Sequence, residues 1–178
     1  MALLHGCAVV AVTGVAAGAS VASDNRTTGT VVEDQAIEIK SAQAISADRE
    51  LNDQAHINTT SYNTVVLLTG EVPTEELRRR AVELVRNIPR VTHVHNEITI
   101  AAPSSLMSRS SDTVITSKVK TQLLASKEVS GFNTKVVTEK GVVYLMGLSS
   151  RSQADMATDI ARTTGGVQKV VKLFQYTD

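Results

Sequence analysis

Val142-Val143-Tyr144-Leu145-Met146-Gly147 decides how the chain is read, because Val65-Val66-Leu67-Leu68-Thr69-Gly70 states the same pattern 77 positions earlier. Each run is short, apolar and closed by a glycine, as a buried strand is. Each follows a polar stretch able to pair with it as a hairpin, and each leads into a helix. A duplicated unit within 178 residues points to two small domains.

Working outward from the first copy, Asp34 is placed to cap a helix running to about Ala47, with Ile37, Ser41, Ala44 and Ile45 on one face. Ile57 to Ser61 reads as a Thr-rich strand and Tyr62-Asn63 as its turn into the organising strand. Thr74 caps a second helix with Glu75 and Glu76 in its first turn, where negative charge suits the helix dipole. Leu77, Ala81, Leu84, Val85 and Ile88 form its stripe, with Glu75–Arg79 and Glu76–Arg80 as i,i+4 pairs. Pro89 stops it, and Val91 to Ile100 alternates as a third strand.

The second copy repeats this order. Asp112 aligns with Asp34 and opens a helix with Ile115, Val119 and Leu123 inward. Thr134 to Thr138, a Lys140-Gly141 turn and Val142 to Gly147 make the hairpin. Ser150-Arg151-Ser152-Gln153 is a capping box, Ala154, Ala157, Ile160 and Ala161 form the next stripe, and Val167 to Tyr176 is the last strand. The fold class is therefore α+β: two tandem αββαβ units, each a three-stranded mixed sheet with two helices on one face. The units span 33–101 and 112–178, joined by a Ser-rich linker at 102–111.

Composition narrows the function. The chain holds 42% hydrophobic and 20% charged residues at zero formal net charge, which fits globular domains and gives no sign of nucleic-acid binding. Charge is split, however. Asp24–Pro103 has 8 Lys/Arg against 12 Asp/Glu, and Ser104–Asp178 has 10 against 6. The positive second half could meet an anionic surface, attract the first half, or simply carry ordinary surface charge. The single cysteine rules out an internal disulfide framework and a Cys-rich zinc site.

Cys7 sits in Leu4-His5-Gly6-Cys7, which is like a lipoprotein acylation motif with His5 where a small residue is usual. From the motif alone, acylation and an incidental cysteine both stay open. Under acylation, 1–6 is the remnant of a signal peptide and 7–32 a lipidated N-terminus and flexible tether. Ala8 to Ala22 falls short of the ~18 apolar residues that a bilayer span requires.

No nucleophile elbow, phosphate-binding loop or zinc-protease motif occurs, so no catalytic residue, cofactor or metal site is assigned. His93 and His95 alternate on one strand, and two histidines on one face could hold a metal, but His56 is the one third ligand the sequence offers, and a solvated face is their plain reading. Gly165-Gly166 follows a helix, so it reads as a cap.

Two binding surfaces remain. The helix from Asp112 carries Val114, Ser117, Lys118, Thr121 and Gln122 away from its core stripe, with Lys120 to one side. Apolar residues interleaved with lysine suit an anionic membrane interface, and a solvated helix face is the alternative. Separately, Val142, Tyr144, Met146, Val171 and Leu173 would leave the uncovered sheet face of the second unit too apolar for water. That face is expected to meet the first unit, aided by the charge split.

The repeated strand and glycine, with Ala55-His56-Ile57-Asn58, Asp112-Thr113, Ile115-Thr116 and Tyr144-Leu145-Met146-Gly147-Leu148, resemble the BON domain. Cys7 ahead of two copies resembles the dual-BON-domain outer-membrane lipoproteins of Gram-negative bacteria (DolP/YraP type). The resemblance implies a non-enzymatic protein on the periplasmic face of the outer membrane, lipid-anchored through an acylated (palmitate-bearing) Cys7. It implies binding of anionic phospholipids such as phosphatidylglycerol through the second BON domain, in support of membrane integrity. It also implies association with division sites and with outer-membrane assembly proteins. Val114 departs from the aromatic usual in that helix, which bears on the depth of insertion. The second reading is a periplasmic protein-interaction scaffold or stress factor.

Overall fold

The computed structural model describes residues 24–178; Cys7 and the proposed signal-peptide remnant lie outside them. The first unit contains α1 (Thr28–Ala47), α2 (Arg49–Gln54), β1 (His56–Tyr62), β2 (Val65–Val72), α3 (Glu75–Arg86) and β3 (His93–Ile100). The second contains α4 (Leu106–Ala125), β4 (Thr134–Glu139), β5 (Val142–Ser149), α5 (Arg151–Thr163) and β6 (Lys169–Tyr176). Each sheet places its organising strand centrally, antiparallel to the strand before it and parallel to the strand after it. The parallel step is the crossover made by α3 or α5. The architecture is two α+β units with three-stranded mixed sheets, as the sequence indicated.

Helices cover one face of each sheet. In the first unit Val66, Leu68, Val72, Val94 and Ile98 meet Ile37, Ile45, Leu77, Ala81 and Val85. In the second, Val136, Val143 and Leu145 meet Ile115, Val119, Leu123, Ala157 and Ala161. The capping expectations at Thr74 and Ser150 match: their side chains accept the N–H of Leu77 and Gln153.

Several local expectations need correction. Neither Asp34 nor Asp112 begins a helix. Thr27 caps α1 and Ser105 caps α4, so residues 28–32 of the expected tether and 106–111 of the expected linker are helical. Their serines and threonines read as loop formers but return their hydroxyls to the helix, as Ser110 Oγ does to the Leu106 carbonyl at 2.9 Å. The first hairpin turns at Asn63-Thr64 and not at Tyr62-Asn63, and Tyr62 closes β1 as a buried residue. α2, a single capped turn and a half, was not anticipated. Arg80 pairs with Glu76 at 3.1 Å as expected, but Glu75 pairs with Arg78, leaving the Glu75–Arg79 pair unmade.

The two aspartates do a different job. Asp34 Oδ1 accepts the N–H of Thr64 at 2.8 Å and its Oδ2 that of Asn63 at 2.7 Å. Asp112 takes the N–H groups of Lys140 and Gly141, each at 2.9 Å. Both turns hold two residues at positive φ, the conformation that matches the twist of a two-residue hairpin. One carboxylate therefore ties the first helix of each unit to the tip of its own hairpin.

Candidate functional site

Two surfaces carry the candidate residues: the outer face of α4 and the contact between the two sheets. On α4, Ile115, Val119 and Leu123 turn inward and Val114, Ser117, Lys118 and Thr121 turn out. Val114 is 53% exposed, and Leu106 and Met107, nearer the helix start, are 76% and 81% exposed, while the exposed Leu124 borders a groove with Lys120 and with Arg26 and Tyr62 of the first unit. Sequence reasoning missed Leu106, Met107 and Leu124, because 102–111 read as linker and Leu124 adjoins the core residue Leu123. Helical spacing carried back to Ser105 would have found the first two.

The outward face of α4 is less polar than its letters suggest. Thr113 Oγ1 donates to the Arg109 carbonyl at 3.0 Å, Ser117 Oγ to Thr113 and Thr121 Oγ1 to Ser117, both at 2.9 Å. Such groups already have a partner and lose less on leaving water. The helix holds one carboxylate, Asp112, and that is buried against the hairpin turn. Its exposed charges, Lys118 and Lys120, are both positive.

The candidate set does not act as one patch. Val114, Ser117, Lys118, Thr121 and Gln122 border a shallow groove with Thr113. Gln122 is also structural, since its Oε1 accepts from Thr164 Oγ1 at 2.6 Å. Lys120 instead lines a cleft of about 590 Å3 between the units, with His56, Asn58, Arg109, Lys135 and Glu139 among its walls.

The second surface buries Tyr62, Val65 and Leu67 of the first unit in one cluster with Tyr144 and Met146 of the second. Val142, Val171 and Leu173 pack against it, half-buried. Strand alternation explains the division: Val66 and Leu68 face their helices while Val65 and Leu67 face the partner sheet. Polar contacts ring this cluster. Tyr62 Oη donates to the Asn133 carbonyl at 3.2 Å, Asn63 Nδ2 to Gln175 Oε1 at 2.7 Å, and Asn58 Nδ2 to Glu139 Oε2 at 3.2 Å. Tyr62, with burial the largest cause and the Asp24 carboxylate next, has its phenol pushed up to about 12. Burial likewise lifts Tyr144 to about 12, with Glu97 adding to it.

Charge crosses the same contact in the sense of the sequence asymmetry. Lys140 Nζ lies 2.7 Å from Oε1 of the fully buried Glu71, and Lys135 Nζ lies 3.5 Å from Glu38 Oε1. Glu71 Oε2 also accepts the Ser104 N–H at 3.2 Å. Burial opposes ionisation of Glu71, but Lys140 and Ser104 outweigh it and hold the carboxyl below its ordinary value. Glu139 goes the other way: burial, then the Glu71 charge, raises it.

Among the described residues no three His, Cys, Asp or Glu side chains are grouped to hold a metal, and no helix is long and apolar enough to cross a membrane.

The BON domain model matches residues 33–102 and again 111–178. The chain is 37% identical to the outer membrane lipoprotein DolP of Haemophilus influenzae, over 98% of this chain and 91% of that protein. It is 39% identical to a 21 kDa hemolysin of Actinobacillus pleuropneumoniae, covering 86% and 79%. Osmotically-inducible protein Y of Escherichia coli is 32% identical, covering 89% and 80%. With both sheets, their helices and the repeated strand accounted for by two matches to one model, the chain belongs to the BON-domain family and carries two BON domains in tandem.

Proposed function

We propose that the protein is a non-enzymatic outer-membrane lipoprotein, anchored through acylated Cys7, that binds anionic phospholipid through the outward face of α4 and supports outer-membrane integrity. The observation that carries this reading is the chemistry of that face. Leu106, Met107 and Val114 are exposed, the hydroxyls between them are bonded to their own helix, and the exposed charge beside Val114 is Lys118. An interfacial helix needs an apolar side to enter the acyl boundary and cations to meet the headgroups, each worth about 1 kcal/mol near an anionic surface. Kinship with a protein named as an outer-membrane lipoprotein supports the anchor, since an alignment over 98% of the chain takes in Cys7. Tethering makes modest intrinsic affinity sufficient by raising the local lipid concentration. The periplasmic face, division sites and contact with outer-membrane assembly proteins belong to the same proposal.

Flotation of the full chain with vesicles of phosphatidylglycerol or phosphatidylcholine tests it. Preferential binding to phosphatidylglycerol is expected, reduced at least tenfold by Lys118→Glu and by Val114→Glu, and less by Lys120→Glu, which lies in the cleft between the units. Equal binding to both vesicles, unmoved by these changes, would favour a periplasmic protein-interaction scaffold or stress factor. Radioactive fatty acid incorporation, with Cys7→Ser as control, tests the anchor separately.

A further inference from the structure

His93 and His95 stand two apart on β3, so both rings leave the strand on one side. Their centroids are 4.5 Å apart with the ring planes at 68°. His93 is exposed and His95 half-buried, which leaves at least the outer ring free to turn about its terminal torsion. A metal bound by one nitrogen of each ring sits about 2.0 Å from it, and the ring centre lies about 1.1 Å beyond. Such rings are about 4.4 Å apart at a right-angled N–metal–N corner and about 5.1 Å apart at a tetrahedral one. The observed 4.5 Å brings both rings within reach of one ion once the outer ring turns, and imidazole ligands hold Cu2+ more tightly than Zn2+.

We propose that His93 and His95 form a bidentate site for a single Cu2+ ion, its remaining positions filled by water. Glu97, next on that side of β3, is turned to the unit contact, with Tyr144 Oη 3.5 Å from its Oε2. Among the described residues no third His, Cys, Asp or Glu joins the pair, which leaves the site open and exchangeable.

The test uses the full chain with His5→Gln and Cys7→Ser throughout, so that neither of those donors competes. CuCl2 is titrated at pH 7 and followed by calorimetry and electron paramagnetic resonance. One equivalent with the coupling pattern of two imidazole nitrogens is expected, at least tenfold weaker in both His93→Gln and His95→Gln and unchanged in His56→Gln. Zn2+ should bind more weakly than Cu2+. Affinity lost in only one of the two variants, or in neither, overturns chelation. Metal-free thermal unfolding of each variant separates loss of the site from loss of the fold.

Discussion

Asp112 Oδ1 accepts the backbone N–H of Gly141 at 2.9 Å, reaching from the middle of α4 to the tip of the β4–β5 hairpin. Its second oxygen takes Lys140 N–H at the same distance, so one buried carboxylate satisfies both donors of a turn that has no strand partner for them. Asp112→Ala leaves both donors unpaired and should cost about 2–3 kcal/mol in urea unfolding, with Asp112→Asn costing less. Asp34→Ala should cost more, since Asp34 also accepts from Ser61 Oγ and Arg26.

The paired carboxylates Glu71 and Glu139 should give opposite pH signatures. Glu71 titrates below its ordinary value of 4.5 in the fold, so its stabilisation is present above that value and lost as pH falls through the lowered one. Glu139 titrates above 4.5, so the cost of ionising it is absent below that value and grows as pH rises through the raised one. Glu139→Gln should therefore raise the melting temperature at pH 7 and lose that advantage below pH 4.5, while keeping the bond from Asn58.

Removing the cation across the contact should be felt in the first unit. Lys140→Met strands Glu71 with the Ser104 N–H as its remaining named partner. Breaking a fully buried pair costs about 3–5 kcal/mol. Lys140 is 40% exposed, so about 2 kcal/mol is expected here, measured by chemical unfolding. Adding Glu71→Gln should recover most of it.

Between the sheets, Met146→Asp places a charge against Tyr62 and Leu67 in a cluster where Met146 is 1% exposed. One calorimetric transition is expected for the parent chain and two for the variant, because each unit keeps its own helix-covered core. A single transition at lowered temperature in the variant would mean that neither unit stands alone.

The repeated glycines should differ in tolerance. A Cβ on Gly70 would lie 1.9 Å from the His56 carbonyl oxygen, at a φ of +117° that L-residues rarely adopt. On Gly147 it would lie 2.5 Å from the Asn133 carbonyl oxygen, with no unusual φ. Gly70→Ala should lose more than about 3 kcal/mol and Gly147→Ala less, compared by urea midpoints.

Tandem units, strand order and helix stripes were legible in the sequence because each rests on a local period. Two residues per repeat set the faces of β2 and β5, and 3.6 set Ile115, Val119 and Leu123 inward. The starts of α1 and α4 were not legible. Ser and Thr serve equally as loop residues and as back-bonded helix residues, and only the completed turn shows which. The roles of Asp34 and Asp112 were also hidden, since a carboxylate before an apolar stripe looks like a cap whether it meets its own helix or a hairpin far along the chain. The sequence by itself thus determined the two folds and the apolar face of each central strand. Tertiary structure alone decided that Tyr62, Val65 and Leu67 are what the second sheet covers, that Lys140 meets Glu71, and that Lys120 looks into the cleft between the units. The physical reason is range: dihedral preferences and periodicity act within a few residues, whereas these partners lie some 70 or more positions apart and meet only when two finished sheets pack.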